Sequence, residues 1–335
     1  MDEDLWSLGR AASRLTRSLF GGRVTFISNM ILNYTNVCTV ACRFCAFYRP
    51  PGHPEAYLRA PEEAARAAAR LDAEHGLRQI LVQGGVNPDL GIEYYEELFR
   101  RLKEAVPRAA VHGLSPIEVD YLSRRGRMSY GEVLSRLRDA GMDTMAGGGG
   151  EILVDRVRRI IAPRKISADA WLRIMEVAHS MGIMSNATMM YGHAENASDR
   201  AEHLHRILEL QRRTRGFLSF TAWNFEPGNS ELTRDYPYPM TAATLLRVVA
   251  VSRLVFRDLL PNIQSSWLTN GLDAARLAML FGANDFGGTL FEEMVIPATG
   301  SRPPGMNRER IVDLIRSMGL RPAERDNWYR VIAEY

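Results

Sequence analysis

A chain of 335 residues, 46% hydrophobic and 24% charged, is long enough for one large α/β barrel or two smaller domains. A net charge of only +3, with basic residues spread through helical stretches such as Arg206 to Arg215, argues against a nucleic-acid-binding stripe. The acidic opening Asp2, Glu3, Asp4 lacks the apolar region of a leader, and no run approaches the length of a membrane span, so a cytoplasmic protein without nucleic-acid or membrane partners is expected.

In chain order, short apolar runs alternate with charged, helix-periodic segments, the pattern of β-α units closing a parallel sheet. Eight strands are expected near 31–34, 79–83, 109–113, 143–146, 185–190, 218–223, 262–267 and 284–287. Helices lie between them, among them 61–74, opened by proline and rich in alanine, 94–105, and 130–140, ended by Gly141. No linker, repeat or low-complexity stretch offers a cut. The expectation is therefore one (β/α)8 barrel domain spanning 1–335, with a core of about 25–300 and helical extensions 1–24 and 301–335.

Cys38, Cys42 and Cys45 are the only three cysteines, spaced CxxxCxxC directly after the first expected strand. Thiolates are the usual ligands of iron-sulfur clusters, and three of them on a four-iron cubane leave one iron open to a non-protein ligand. A structural zinc site with His53 as fourth ligand is the alternative. Zinc sites, however, are usually built from two separated ligand pairs. No disulfide is possible outside the triplet, and an oxygen-sensitive cluster favours a reducing compartment.

Barrel enzymes carry their chemistry on the loops after strand C-termini. Those loops here read Gln83-Gly84-Gly85, His112-Gly113-Leu114-Ser115-Pro116, Gly147 to Gly150 followed by Glu151, and Tyr191-Gly192-His193-Ala194-Glu195. Taken alone, a glycine run is more often a turn than a ligand cradle, and these gain weight from sharing a barrel with the cysteines. His179 and His203 fall within helical periodicity and His75 at a helix end, which makes them structural or surface residues; His112 and His193 stand at strand ends. Trp223 and Trp267 either fill the core or wall an aromatic pocket.

The cysteine spacing, with Phe44 before the last cysteine, resembles the signature of the radical S-adenosylmethionine (SAM) superfamily. The runs Asn33 to Cys38, Cys45 to Arg49, Gly147 to Leu153, Thr188 to His193 and Phe281 to Gly287 resemble its group of futalosine menaquinone-pathway enzymes and deazaflavin FO synthases. Within that group Trp223 to Asn229 is most similar to the cyclase branch. Ala146, Gly150 and Glu226 depart from the usual pattern. The resemblance covers about 31–300.

It implies a radical SAM (β/α)8 barrel with a [4Fe-4S] cluster on Cys38, Cys42 and Cys45, SAM on the fourth iron, and a one-electron donor such as flavodoxin or ferredoxin. Phe44 would lie near the adenine, Gln83, Gly84 and Gly85 at the methionine amino group, and Glu151 at the ribose hydroxyls. The implied reaction abstracts hydrogen from the ribose of dehypoxanthine futalosine and closes the ring onto its benzoate. His193, then Tyr191, Glu195 and Asp285, are the candidates for the final proton. Arg49 and His112 are nominated for the substrate carboxylate, and Trp223 and Asn224 for the substrate pocket. Aminofutalosine synthase, an FO synthase subunit, and a non-catalytic, metal-stabilised barrel are the competing readings.

Overall fold

Helices begin where the sequence supplies a proline or a capping side chain. In the computed structural model, which describes residues 4–335 and leaves Asp2 and Glu3 outside, Pro61 opens the helix Pro61–His75 with Glu62 and Glu63 in its first turn, where acidic groups meet unpaired N–H groups. Ser129 Oγ accepts from the Glu132 N–H at 3.2 Å and opens Tyr130–Asp139. Ala64, Ala65, Ala68 and Leu71 form the small buried face of Pro61–His75, which lets it lie close to its neighbour Ile92–Ala105.

The described strands are β1 (Arg23–Ile27), β2 (Asn29–Asn33), β3 (Gln79–Gln83), β4 (Ala110–Gly113), β5 (Thr144–Met145), β6 (Ser185–Tyr191), β7 (Phe217–Asn224), β8 (Asn262–Gln264), β9 (Asp285–Gly288), β10 (Arg321–Arg325) and β11 (Val331–Glu334). Strands β2 to β9 pair in parallel, in chain order. β1 and β2 are one run bent at Ser28. β9 pairs with the β1 half, and its continuation reaches β2, where the Phe291 N–H donates to Asn29 O (3.1 Å) and the Ile31 N–H to Phe291 O (2.8 Å). The two ends of the sheet thus meet in a TIM-type (β/α)8 barrel, as expected. The eight expected runs are β2 to β9. The seventh is shorter than expected, because Ser266 turns the chain at φ +51° and Trp267 starts the short helix Trp267–Asn270.

The tail is a correction. Segment 301–335, expected as a helical extension, holds the helix Arg308–Arg316 and then the antiparallel hairpin β10–β11, which extends the sheet from β1. Its strands escape an apolar-run search because Glu324 and Arg325 are buried by ionic partners rather than by apolar character. From the hairpin turn, three side chains enter the N-terminal end of the barrel. Arg325 donates to both Asp285 oxygens (2.5 and 3.1 Å). Asn327 accepts from Gln79 (2.6 Å) and donates to Thr144 (2.9 Å), and Tyr329 accepts from Gln264 (2.9 Å). The barrel floor is closed by this polar plug.

Burial pushes His112 down to about 3, aided by the Arg325 charge, and by itself takes His179 down to about 4; it also takes His203 down to about 3, with the Arg158 charge helping. All three are neutral in the fold and protonate near pH 6.5 when unfolded. The unfolded state therefore binds more protons between about pH 6.5 and 4, and stability falls as pH falls. Each histidine should remove up to about 1.4 kcal/mol per pH unit in that window. Urea unfolding at pH 7, 6 and 5 checks this, since charged or exposed histidines would give a flat profile.

Candidate active site

The cysteine loop leaves the C-terminal end of β2 and is pinned by backbone bonds. The Cys38 N–H donates to Arg49 O (2.9 Å), Thr39 N–H to Val86 O (3.0 Å), and Arg43 N–H to Ile161 O (2.9 Å). Gly85 sits hard against it: a Cβ there would lie 2.2 Å from Val37 O and 2.8 Å from Cys38 Cβ, so this glycine is required by close backbone approach. Arg49 is a staple. Its guanidinium donates to the carbonyls of Ala46 and Tyr48 (both 3.0 Å) and to Glu55 (2.7 Å), which leaves it committed to the loop rather than offered to a substrate carboxylate.

Burial pushes the Cys42 thiol up to about 12 against the pull of the Lys165 ammonium, with Glu151, Cys45 and Cys38 adding to the rise. Cys45 is also raised, chiefly by burial. Buried thiols of this kind ionise when a metal takes the place of the proton. A cavity of about 410 Å³ beside Cys42 and Cys45 is also lined by Arg43, His53, Asn229 and Glu231. Among the described residues no three His, Cys, Asp or Glu side chains converge as the ligands of a single ion. Zinc would need that convergence, whereas a cubane takes each thiolate on a different iron.

After β5 the four-glycine loop folds under β6, and a Cβ on Gly147 would strike Asn186 O at 2.2 Å. Arg158, 4% exposed at its side chain, gathers the loop. It donates to Gly149 O (2.9 Å) and Gly150 O (3.2 Å), and on its other edge to Ile166 O (3.0 and 2.7 Å). Glu151, at φ +23°, is buried. Its Oε1 accepts from Lys165 Nζ at 2.8 Å, while Oε2 has no hydrogen-bond partner. Lys165 Nζ lies 4.9 Å from the centroid of the Phe44 ring. Glu151, Phe44 and Cys42 are thus gathered around Lys165, which the sequence reading missed. An orphaned buried carboxylate oxygen near Cys42 fits a polar ligand carrying hydroxyl donors, as SAM on a cluster would be.

Strand alternation shows which other candidates face the barrel interior. Gln79 reaches the floor plug, so Gln83 at the far end of β3 also faces inward; it is exposed there and its side chain has no partner among the described residues. Phe220 packs on Phe256 of the outer layer, so Ser219, Thr221 and half-buried Trp223 face inward, Trp223 at the mouth. Asn224 faces the other way and accepts from the Met240 N–H (3.3 Å). Tyr191 also points outward, because Ser185, of the same parity, bonds His179 on the helix Ala168–Ser180 (2.7 Å); the Tyr191 hydroxyl donates to Asn270 (2.6 Å).

The proton candidates are largely spent. His193 is fully buried at its side chain; Nε2–H donates to Met190 O (3.1 Å) and Nδ1 accepts from the Ala194 N–H (2.8 Å), and burial lowers its pKa. Glu195 accepts from the N–H groups of Gly192 (2.8 Å) and His193 (2.9 Å) and from Arg200 (2.8 Å). Asp285 begins β9 at the barrel floor, remote from the cysteines at the other end, and is paired with Arg325 and Thr25. His112 bonds Thr144 (2.7 Å) at the plug and is neutral, which removes it as a cation for a carboxylate.

Comparison with known proteins identifies relatives of the chain. Residues 32–207 match the radical SAM superfamily, and residues 214–334 match the CofH/MqnC C-terminal region. The chain is 40% identical to cyclic dehypoxanthine futalosine synthase of Streptomyces coelicolor, over 98% of this chain and 82% of that one. It is 38% identical to the 5-amino-6-(D-ribitylamino)uracil–L-tyrosine 4-hydroxyphenyl transferase of Methanopyrus kandleri (99% and 90% covered) and 37% identical to aminodeoxyfutalosine synthase of Thermus thermophilus (98% and 89%). Among solved structures, methylornithine synthase (PylB) shares the fold with a TM-score of 0.74 at 19% identity, covering 96% of this chain and 90% of that one.

Proposed function

The chain belongs to the radical SAM superfamily, and from that premise we propose that it is the cyclase that converts dehypoxanthine futalosine to cyclic dehypoxanthine futalosine in menaquinone biosynthesis. The observation that carries this reading is Trp223, which faces the interior at the barrel mouth and opens the segment Trp223 to Asn229 that most resembles cyclases. A [4Fe-4S] cluster on Cys38, Cys42 and Cys45, with SAM on its free iron, supplies a hydrogen-abstracting 5′-deoxyadenosyl radical on one-electron reduction by a donor such as flavodoxin or ferredoxin.

The chain's own residues position and exclude. Glu151 Oε2 would accept from a SAM ribose hydroxyl, Phe44 would lie beside the adenine, and Gln83 would offer its free side chain to the methionine end. Trp223 would wall the substrate pocket against the benzoate, restricting the substrate toward a near-attack geometry. The plug of Arg325, Asn327 and Tyr329 keeps water from entering through the floor. No protein base is assigned to the final proton, since His193, Glu195 and Asp285 already have their bonding groups occupied.

The 38% identity to the hydroxyphenyl transferase supports one rival, transfer of a tyrosine-derived hydroxyphenyl group. Anaerobically reconstituted protein with SAM and dithionite should form 5′-deoxyadenosine with dehypoxanthine futalosine and give a product lighter by two hydrogen atoms. Turnover only with tyrosine and 5-amino-6-(D-ribitylamino)uracil would replace the cyclase by the transferase. Zinc without a cluster would end the radical reading.

A further inference from the structure

Lysines are rarely buried, and a buried ammonium is retained where it is paired and serves a purpose. Lys165 is 8% exposed at its side chain, on the short connection between the helices Asp155–Ile161 and Ala168–Ser180. Arg158 fixes that connection by its two bonds to Ile166 O. The Lys165 ammonium meets Glu151 Oε1 at 2.8 Å and stands 4.9 Å from the ring centroid of Phe44, the residue directly before the ligand Cys45. Arg158 is the other buried cation here, 4.0 Å from Glu151 Oε2, but its N–H groups are directed at the carbonyls of the glycine loop and Ile166.

We propose that Lys165 is a positioning residue with two effects: it fixes Glu151 so that Oε2 faces the bound SAM, and it sets a permanent positive charge beside the cluster that raises the cluster's reduction potential. The inference rests on the cluster-and-SAM reading above. On accepting one electron from an external donor the cluster gains one negative charge, and a fixed cation in a dry, low-dielectric setting favours that reduced form. The same ammonium, 2.8 Å from Oε1, offsets part of the cost of burying the Glu151 carboxyl group.

Two readouts that need no substrate test it: an EPR-monitored redox titration of the reconstituted cluster, and the SAM dissociation constant by equilibrium dialysis. Lys165→Met should lower the potential and weaken SAM binding about tenfold or more, the loss of one charge-assisted hydrogen-bond arrangement, while Lys165→Arg retains most of both. Because Lys165→Met strands a buried carboxylate, the double variant Lys165→Met/Glu151→Gln serves as the folded control. Its potential should return toward wild type while its SAM affinity stays low. A cluster-loaded Lys165→Met, or the double variant, with wild-type potential and wild-type affinity overturns the assignment. Wild-type protein that takes up no cluster overturns the cofactor reading itself, an outcome distinct from a failure of Lys165 alone.

Discussion

Replacing Cys42 by alanine is expected to abolish cluster assembly and SAM cleavage while leaving the fold intact. The thiol is one of three anchors, and two thiolates do not hold a four-iron cubane with a single open iron. The loop has anchors besides its thiols. It is held by the bonds of Cys38 N–H to Arg49 O, Thr39 N–H to Val86 O and Arg43 N–H to Ile161 O, and by the ion pairs of Arg43 with Glu231 and Asp235. Iron and sulfide per chain after reconstitution should fall to background, 5′-deoxyadenosine should disappear, and the far-ultraviolet circular dichroism of the apo-protein should match wild type. Retained iron at the wild-type ratio would place the metal elsewhere in the chain and remove the basis of the proposed chemistry.

That the strands and the loops at the barrel mouth are legible in the sequence, while the bonding of the proton candidates is not, has a physical reason. A strand of a (β/α)8 barrel is a short apolar run between charged helices, so β2 to β9 could be located by pattern, and the residues just after them assigned to the mouth. Pattern says nothing about what a side chain bonds to. His193 has both ring nitrogens occupied by backbone groups within three residues of itself, a local closure that leaves no periodic trace. Asp285 belongs to a run that resembles the family and is a candidate for the final proton, but it starts β9 and so stands at the floor. Lys165, between Arg164 and Ile166 in a loop, reads as a surface residue; only the fold of the glycine loop around Arg158 buries it. The hairpin β10–β11 was missed because its inward-facing residues are charged or polar, and the partners that make their burial tolerable are some 40 to 250 residues away.

Breaking that remote pairing should have the second large effect. Arg325→Met leaves the Asp285 carboxylate, 0% exposed at its side chain, without its cation, and removing one partner of a buried ion pair costs about 3–5 kcal/mol. Thr25, which donates to Asp285 at 2.6 Å, offsets only part of this. The guanidinium also lies 3.7 Å from the Tyr329 ring centroid, so its loss loosens another residue of the plug. The denaturant midpoint should drop accordingly, and Arg325→Met/Asp285→Asn should recover most of the loss, because a neutral amide tolerates the site without a counter-charge. If the floor matters to the chemistry as well as to the fold, the single variant should also form more 5′-deoxyadenosine per turnover of substrate, since solvent entering from below supplies the proton with which an electron from dithionite reduces the 5′-deoxyadenosyl radical to 5′-deoxyadenosine before it takes hydrogen from the substrate. A loss of unfolding free energy below about 1 kcal/mol, the scale of an exposed pair, would show that the tail only rests on the barrel, and an unchanged ratio of 5′-deoxyadenosine to product would confine its role to stability.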